Sequence, residues 1–178
     1  LLVYPLAADA HQTQEYIEMK GKKADDVLAS VAEFAKPDYG VDVFKLESPV
    51  NAADADGSAE VQAVFDEMGR LAGRPWVMLS AGAGKPEFRK VLEHAFAAGA
   101  SGFLAGRAIW LDAFRSYPDW DAIRAGLESG AADYMRDISG LADTKAADWR
   151  QHSCYGDGGA RFSPADASFR HAYADFGA

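Results

Sequence analysis

Asp42-Val43-Phe44-Lys45-Leu46-Glu47-Ser48-Pro49-Val50 reads as a strand with a lysine at its centre. Strand alternation puts Val43, Lys45 and Glu47 on one face and Phe44 and Leu46 on the other. The apolar company predicts a buried strand, and a lysine is rarely buried unless something pairs with it or uses it. Two readings stay open on this stretch alone. In one, Lys45 is desolvated, its pKa falls, and the neutral amine attacks carbonyls. In the other, Lys45 forms an ion pair with Glu47 or Asp42 on a half-wet sheet face.

The flanking sequence repeats the same kind of unit. An apolar strand is expected at 1–6, where Pro5 marks its end because proline cannot donate to a central ladder. Helical spacing of Val27, Val31 and Phe34 predicts a helix over 22–36, and the lysine strand follows at 41–47. A helix is predicted over 58–72, with Val61, Val64, Phe65, Met68 and Leu71 facing inward and Gly73 as its stop. The unbroken apolar run at 75–80 suits a parallel strand covered on both faces. A small-residue loop at 81–84, a helix over 86–98 and a strand at 101–106 come next. Further helices are expected from 107 to about 114, from 119 to about 138, and over 142–149. Residues 151–178 have no assigned structure beyond a short helix at 164–173.

Alternating β and α means an α/β fold with a parallel sheet and right-handed crossovers. Four such units make half of an eight-stranded (β/α) barrel or a small open doubly wound sheet. Either way two parallel edges stay open, so an N-terminal half-barrel segment or a partner chain is expected to close the sheet. No Met precedes Leu1, and the natural protein is expected to begin upstream.

The 178 residues carry 49% hydrophobic and 25% charged side chains, the balance of a water-soluble domain with a sizeable core. A net charge of −9 argues against nucleic acid and against an anionic membrane surface. Cys154 is the single cysteine, so no internal disulfide forms and a reducing, cytoplasmic setting is expected. No apolar run is long enough to span a bilayer, and no signal peptide is read.

In parallel α/β folds chemistry sits at the carboxyl ends of the strands. Here those ends carry Tyr4, Lys45 with Glu47, Ser80-Ala81-Gly82, and Gly106-Arg107. The last two are turns whose N–H groups can face an oxyanion, and Arg107 can add a bidentate contact. Their occurrence on consecutive strands points to a substrate phosphate. Ala81-Gly82-Ala83-Gly84-Lys85 lacks the GxxxxGK[ST] spacing, so it is not a P-loop. His11, His94, His152 and His171 are scattered without metal-ligand spacing; His94 is expected on a helix surface, and His11 is a candidate for lining the site. Asp54 and Asp56 lie in a loop without a full calcium pattern. Trp76, Trp110, Trp120 and Trp149 read as packing residues.

The chain resembles the class I tagatose-1,6-bisphosphate aldolase family, which includes relatives acting on sulfofructose phosphate. The likeness rests on 42–51, on Leu79-Ser80-Ala81-Gly82 and on Gly106-Arg107-Ala108-Ile109-Trp110. The resemblance implies that residues 1–150 are the C-terminal half of a (β/α)8 TIM barrel, strands five to eight, with 151–178 as a tail. It implies that Lys45 is the Schiff-base lysine and that Ser80 to Gly82 and Gly106-Arg107 hold a substrate phosphate. Tyr4 stands where the tagatose enzymes carry a glutamate that acts in proton transfer. A tyrosine can also pass a proton, so Tyr4 or a bridging water is the first candidate carrier and Glu47 the second. The expected reaction is metal- and cofactor-free cleavage of a ketose phosphate to dihydroxyacetone phosphate and an aldehyde. The alternative is a phosphate-binding barrel, an isomerase or a sugar-phosphate sensor, in which Lys45 is an electrostatic clamp.

Overall fold

The computed structural model describes residues 23–161. The expected strand at 1–6, with Tyr4, the loop carrying His11, and the expected helix at 164–173 lie outside these residues. Within them the alternation holds. The first helix, α1, spans Lys23–Phe34 and buries Val27 and Val31. A 3-10 turn at Pro37–Tyr39, ended by left-handed Gly40, leads to β1, Phe44–Leu46.

Helix α2, Ala59–Ala72, follows a second 3-10 turn at Ala52–Asp54. Its start is set by Ser58, whose hydroxyl accepts from the Val61 N–H at 3.3 Å. Its end is set by Gly73 at φ 55°, as the sequence predicts. Strand β2 is Trp76–Leu79, α3 is Lys85–Ala97, and β3 is Gly102–Leu104. Gly69 matters for close packing: a Cβ there would stand 2.5 Å from the Ala98 carbonyl oxygen, so only hydrogen lets α2 approach the end of α3.

The three strands are parallel and lie in the order β1-β2-β3. Phe44, Trp76, Met78 and Leu46 are all buried and form one core with Phe65, Met68, Phe88, Val91 and Leu92 of α2 and α3. Fully burying each such side chain contributes about 1.5–3 kcal/mol. Sequential strand order with right-handed crossovers puts the connecting helices on one face of the sheet. Among the described residues the other face has no layer over it: Val43 is 53% exposed and Leu104 46%. Two expectations are corrected by this. The β2 strand is covered on one face only, with Val77 and Leu79 half-buried. A doubly wound sheet, with helices on both faces, does not describe these residues.

The C-terminal helices also differ from expectation. After α4, Arg107–Phe114, the chain forms α5, Trp120–Gly126, capped by the Asp119 carboxylate on the Ala122 N–H at 2.9 Å. A single π-helical turn, Leu127–Ala131, then joins α5 directly to α6, Ala132–Lys145. The wider turn rotates the apolar stripe, so Ile123 and, further on, Ile138 and Leu141 are all buried. The separate helix expected at 142–149 is absent: its first part belongs to α6, and extended backbone at Ala146 (ψ 143°) ends it.

Candidate functional site at the carboxyl ends of the strands

Strand β1 presents Lys45 on the uncovered face, between buried Phe44 and Leu46. The alternation expected from the sequence is therefore present. The burial expected for Lys45 is not: it is exposed, because no layer lies over that face among the described residues. No carboxylate of the described residues lies within ion-pair distance of Lys45, so neither the Glu47 nor the Asp42 pairing forms.

Glu47 is engaged elsewhere. Lys23 reaches from the start of α1 to within 3.7 Å of its carboxylate, and the Glu47 side chain is 14% exposed. The same ammonium donates to the Val50 carbonyl at 3.4 Å. Nothing in the sequence flagged Lys23. It lies 24 residues before Glu47, at no motif spacing, and only the packing of α1 brings it to the end of β1.

Register aligns Lys45 with Val77 and Gly102, and Leu79 with Leu104. The chain turns sharply after β2. Ala81 has φ 49° and Gly82 φ 82°, and the Ala83 N–H closes the turn on the Ser80 carbonyl at 2.9 Å. Two successive positive φ values are the signature of a type I′ turn, which tolerates glycine at little cost and alanine at some strain. Ser80 is buried, and its N–H is held by the Leu104 carbonyl at 3.1 Å. Its main-chain donor is therefore part of the sheet. Among the described residues the Ala81 and Gly82 N–H groups donate to no main-chain carbonyl.

Helix α4 begins at Gly106, whose carbonyl accepts from Ile109 and Trp110. The Arg107 and Ala108 N–H groups belong to the unpaired first turn and sit at the positive end of the helix. The Arg107 guanidinium folds back over the neighbouring turn: a Cβ on Gly82 would lie 3.2 Å from Arg107 Nη2 and 3.4 Å from Cζ. Arg107 is exposed and has no ion pair among the described residues. The nearby carboxylate of α4, Asp112, is shared instead by Lys85 at 3.5 Å and Arg115 at 3.7 Å. The fork of Arg107, the Ala81-Gly82 turn and the start of α4 thus meet in one place. Such an arrangement suits a bidentate oxyanion.

Other candidates resolve into structural roles. His94 is buried, not on the surface as expected; its ring stacks on Phe65 at 5.3 Å and its Nδ1 lies 2.7 Å from Gln62 Oε1. Asp56 accepts from the Ser58 N–H at 2.9 Å, and the hydrogen bonds from Ser58 hold its carboxyl below the usual range. Asp54 accepts from Asn51 at 3.0 Å. Trp76 is core, while Trp110 and Trp120 are exposed, each with a neighbouring aromatic ring edge-on.

Residues 2–112 match the family model of the DeoC/LacD family aldolases. The chain belongs to the DeoC/LacD aldolase family. The DeoC/LacD match contains all three stretches singled out above and ends within α4. Among curated proteins, the tagatose 1,6-diphosphate aldolase of Listeria monocytogenes serotype 4a (strain HCC23) is 35% identical over 162 residues, covering 82% of this chain and 47% of the relative. The protein of the same name from Staphylococcus aureus (strain JH9) is 30% identical over 150 residues, covering 77% and 45%. The chain spans about half the length of the curated relatives it matches. No helix of the described residues is long and apolar enough to cross a membrane.

Proposed function

We propose that this chain carries the imine-forming and phosphate-binding part of a class I aldolase that cleaves a ketose phosphate or bisphosphate of the tagatose-1,6-bisphosphate kind. One observation carries the reading. An exposed amine, without an ion pair among the described residues, stands on one strand, and an arginine fork lies across a glycine turn on the next two. The family membership and the printed names of the relatives support the same class.

The steps follow from the chemistry of the groups. Neutral Lys45 Nζ attacks the substrate ketone, water leaves, and the product is a protonated imine. The imine accepts the electron pair of the breaking C3–C4 bond as the C4 hydroxyl loses its proton to Tyr4 or Glu47. An aldehyde departs, the enamine regains a proton at C3, and water releases dihydroxyacetone phosphate and free Lys45. The electron sink is the imine itself, so the proposed reaction is metal-independent. Ala81, Gly82, Gly106 and Arg107 hold the phosphate and fix the ketone against Lys45, with Ser80 anchoring the turn through its sheet hydrogen bond.

The proposal includes a (β/α)8 barrel. Its other strands, from the rest of the protein or a partner chain, would cover the Val43–Lys45–Leu104 face. That cover would exclude water from around Lys45 and leave the amine facing the substrate ketone. The expected setting is the cytoplasm.

Lys45→Arg tests the reading. Arginine keeps the charge and cannot form the imine, so lyase activity should fall to background while binding of a phosphorylated ketose persists. An Arg variant that still cleaves substrate would overturn the proposal and leave an electrostatic clamp in its place.

A further inference from the structure

We propose that the cleft between α4 and the π turn is a second binding site, for a small hydroxylated anion of three or four carbons bearing a phosphate or a carboxylate. The cleft has a volume of about 250 Å³. At roughly 30 Å³ per water that is room for about eight waters, smaller than the pockets that hold drug-sized ligands. None of Lys45, Ala81, Gly82, Gly106 and Arg107 lines it, so it is separate from the proposed phosphate site. Binding there needs no aldolase chemistry.

The backbone opens the cleft. Helices α4 and α5 touch at Gly126, where a Cβ would stand 3.0 Å from Ala113 Cβ. Four residues on, at Gly130, a Cβ would meet nothing within 4 Å. Between these points the chain enters the π turn, Leu127–Ala131, whose wider backbone carries that wall away from α4. Single π turns inside helices are frequent at functional sites.

The lining sets the ligand's chemistry. Lys85, at the start of α3, and Asp112 of α4 supply its charges, with Nζ 3.5 Å from Oδ2. Arg115, outside the lining, approaches the same carboxylate at 3.7 Å. Two cations thus share one carboxylate. If the Lys85 ammonium turns to a ligand, Asp112 keeps Arg115, and an anion completes the charge balance. The Tyr134 ring, its centroid 5.7 Å from Lys85 Nζ, steadies the ammonium beside the cleft. Ser129 donates its hydroxyl proton to the Ala125 carbonyl at 2.7 Å, which leaves its lone pairs to accept from a ligand hydroxyl. Ile109 and Ala131 offer apolar contact to a short carbon chain. One available cation, hydroxyl acceptors and a short apolar wall together fit a hydroxylated anion.

The experiment is isothermal titration of the full chain carrying Arg107→Ala, which disables the proposed substrate site. Glycerol 3-phosphate is the phosphate probe and glycerate the carboxylate probe. At least one should bind at a single site with Kd of about 1 mM or tighter, and the tighter of the two identifies the head group. Adding Lys85→Met should weaken binding roughly tenfold or more. Adding Gly130→Leu instead should abolish it by filling the gap. Its Tm should stay at or above that of Arg107→Ala, because the new Cβ meets no neighbour and a glycine leaves the helix. Failure of both probes to bind would overturn the proposal. So would binding that survives Lys85→Met and Gly130→Leu unchanged, which would place the anion elsewhere. Neither result touches the aldolase reading, which stands or falls on the Lys45 adduct.

Discussion

The Arg107 guanidinium lies against the face of Gly82, so close that a Cβ on Gly82 would stand 3.2 Å from Nη2. Gly82 also has φ 82°, a backbone region that side chains other than hydrogen rarely adopt. Gly82→Ala therefore meets two obstacles at once. The backbone strain should cost on the order of 1 kcal/mol in urea unfolding. The added methyl should also push the fork away, and KM for a phosphorylated substrate should rise more than kcat falls. An alanine variant with unchanged KM would separate Arg107 from the substrate.

Arg107 itself should matter for binding and little for stability. It is exposed and has no ion pair among the described residues, so its removal breaks no fixed contact of that kind. Arg107→Ala should raise KM for a ketose phosphate by roughly tenfold or more, the value of a bidentate charge-assisted pair. Arg107→Lys should recover only part of that loss, because an ammonium is a point charge without a fork. Thermal unfolding of both variants should match that of the parent, and a large fall in Tm would contradict this assignment.

The core should respond in the opposite way. Phe88 of α3 is fully buried and meets Phe103 of β3 edge-on at 6.4 Å. Phe88→Ala removes this bridge between helix and sheet and should cost about 3–5 kcal/mol in urea unfolding. A loss below about 1 kcal/mol would mean that the site collapses around the cavity.

Tyr134 supplies a pH test. Burial, the largest cause, pushes its phenol up to about 12, and the nearby Asp137 charge adds to the rise. Its hydroxyl donates to the Lys85 carbonyl at 2.8 Å, next to the start of α3. A folded pKa above the unfolded value of about 10 means the native state keeps its proton longer. The stabilisation is fully present below pH 10 and is lost as pH rises toward 12. Tyr134→Phe should lose roughly 1 kcal/mol at pH 8 through the missing hydrogen bond. Its stability should then fall less steeply than the parent's above pH 10. Parallel curves would contradict the burial of the phenol.

Much of this was legible in residue spacing. Period-two alternation at 43–47 separated Phe44 and Leu46 from Lys45, and the structure buries the first two while Lys45 lies on the other face. Helical spacing found the inward face of α2, where Phe65 and Met68 are buried. Gly73 ends α2, and the two turns on consecutive strands meet through Arg107. What escaped depends on distance in space. Lys23 and Glu47 are brought together only by the packing of α1, and local periodicity carries no trace of it. His94 sits on a helix face that is polar in sequence, yet Phe65 and Gln62 of α2 enclose it. The continuous helix expected from 119 to about 138 is present as α5 and α6, but the π turn at Leu127–Ala131 inside it and its run-on to Lys145 left no mark in the apolar spacing. The exposure of Lys45 was missed because an apolar strand sequence does not say which faces are covered.

The central claim is that Lys45 forms an imine with substrate. Incubation with a ketose bisphosphate followed by borohydride reduction, then peptide mass mapping, tests it directly. The account predicts one reduced triose phosphate adduct, on the peptide holding Lys45, and none in Lys45→Arg. A protein that cleaves the substrate yet carries no adduct, or carries it on another lysine, would contradict the account.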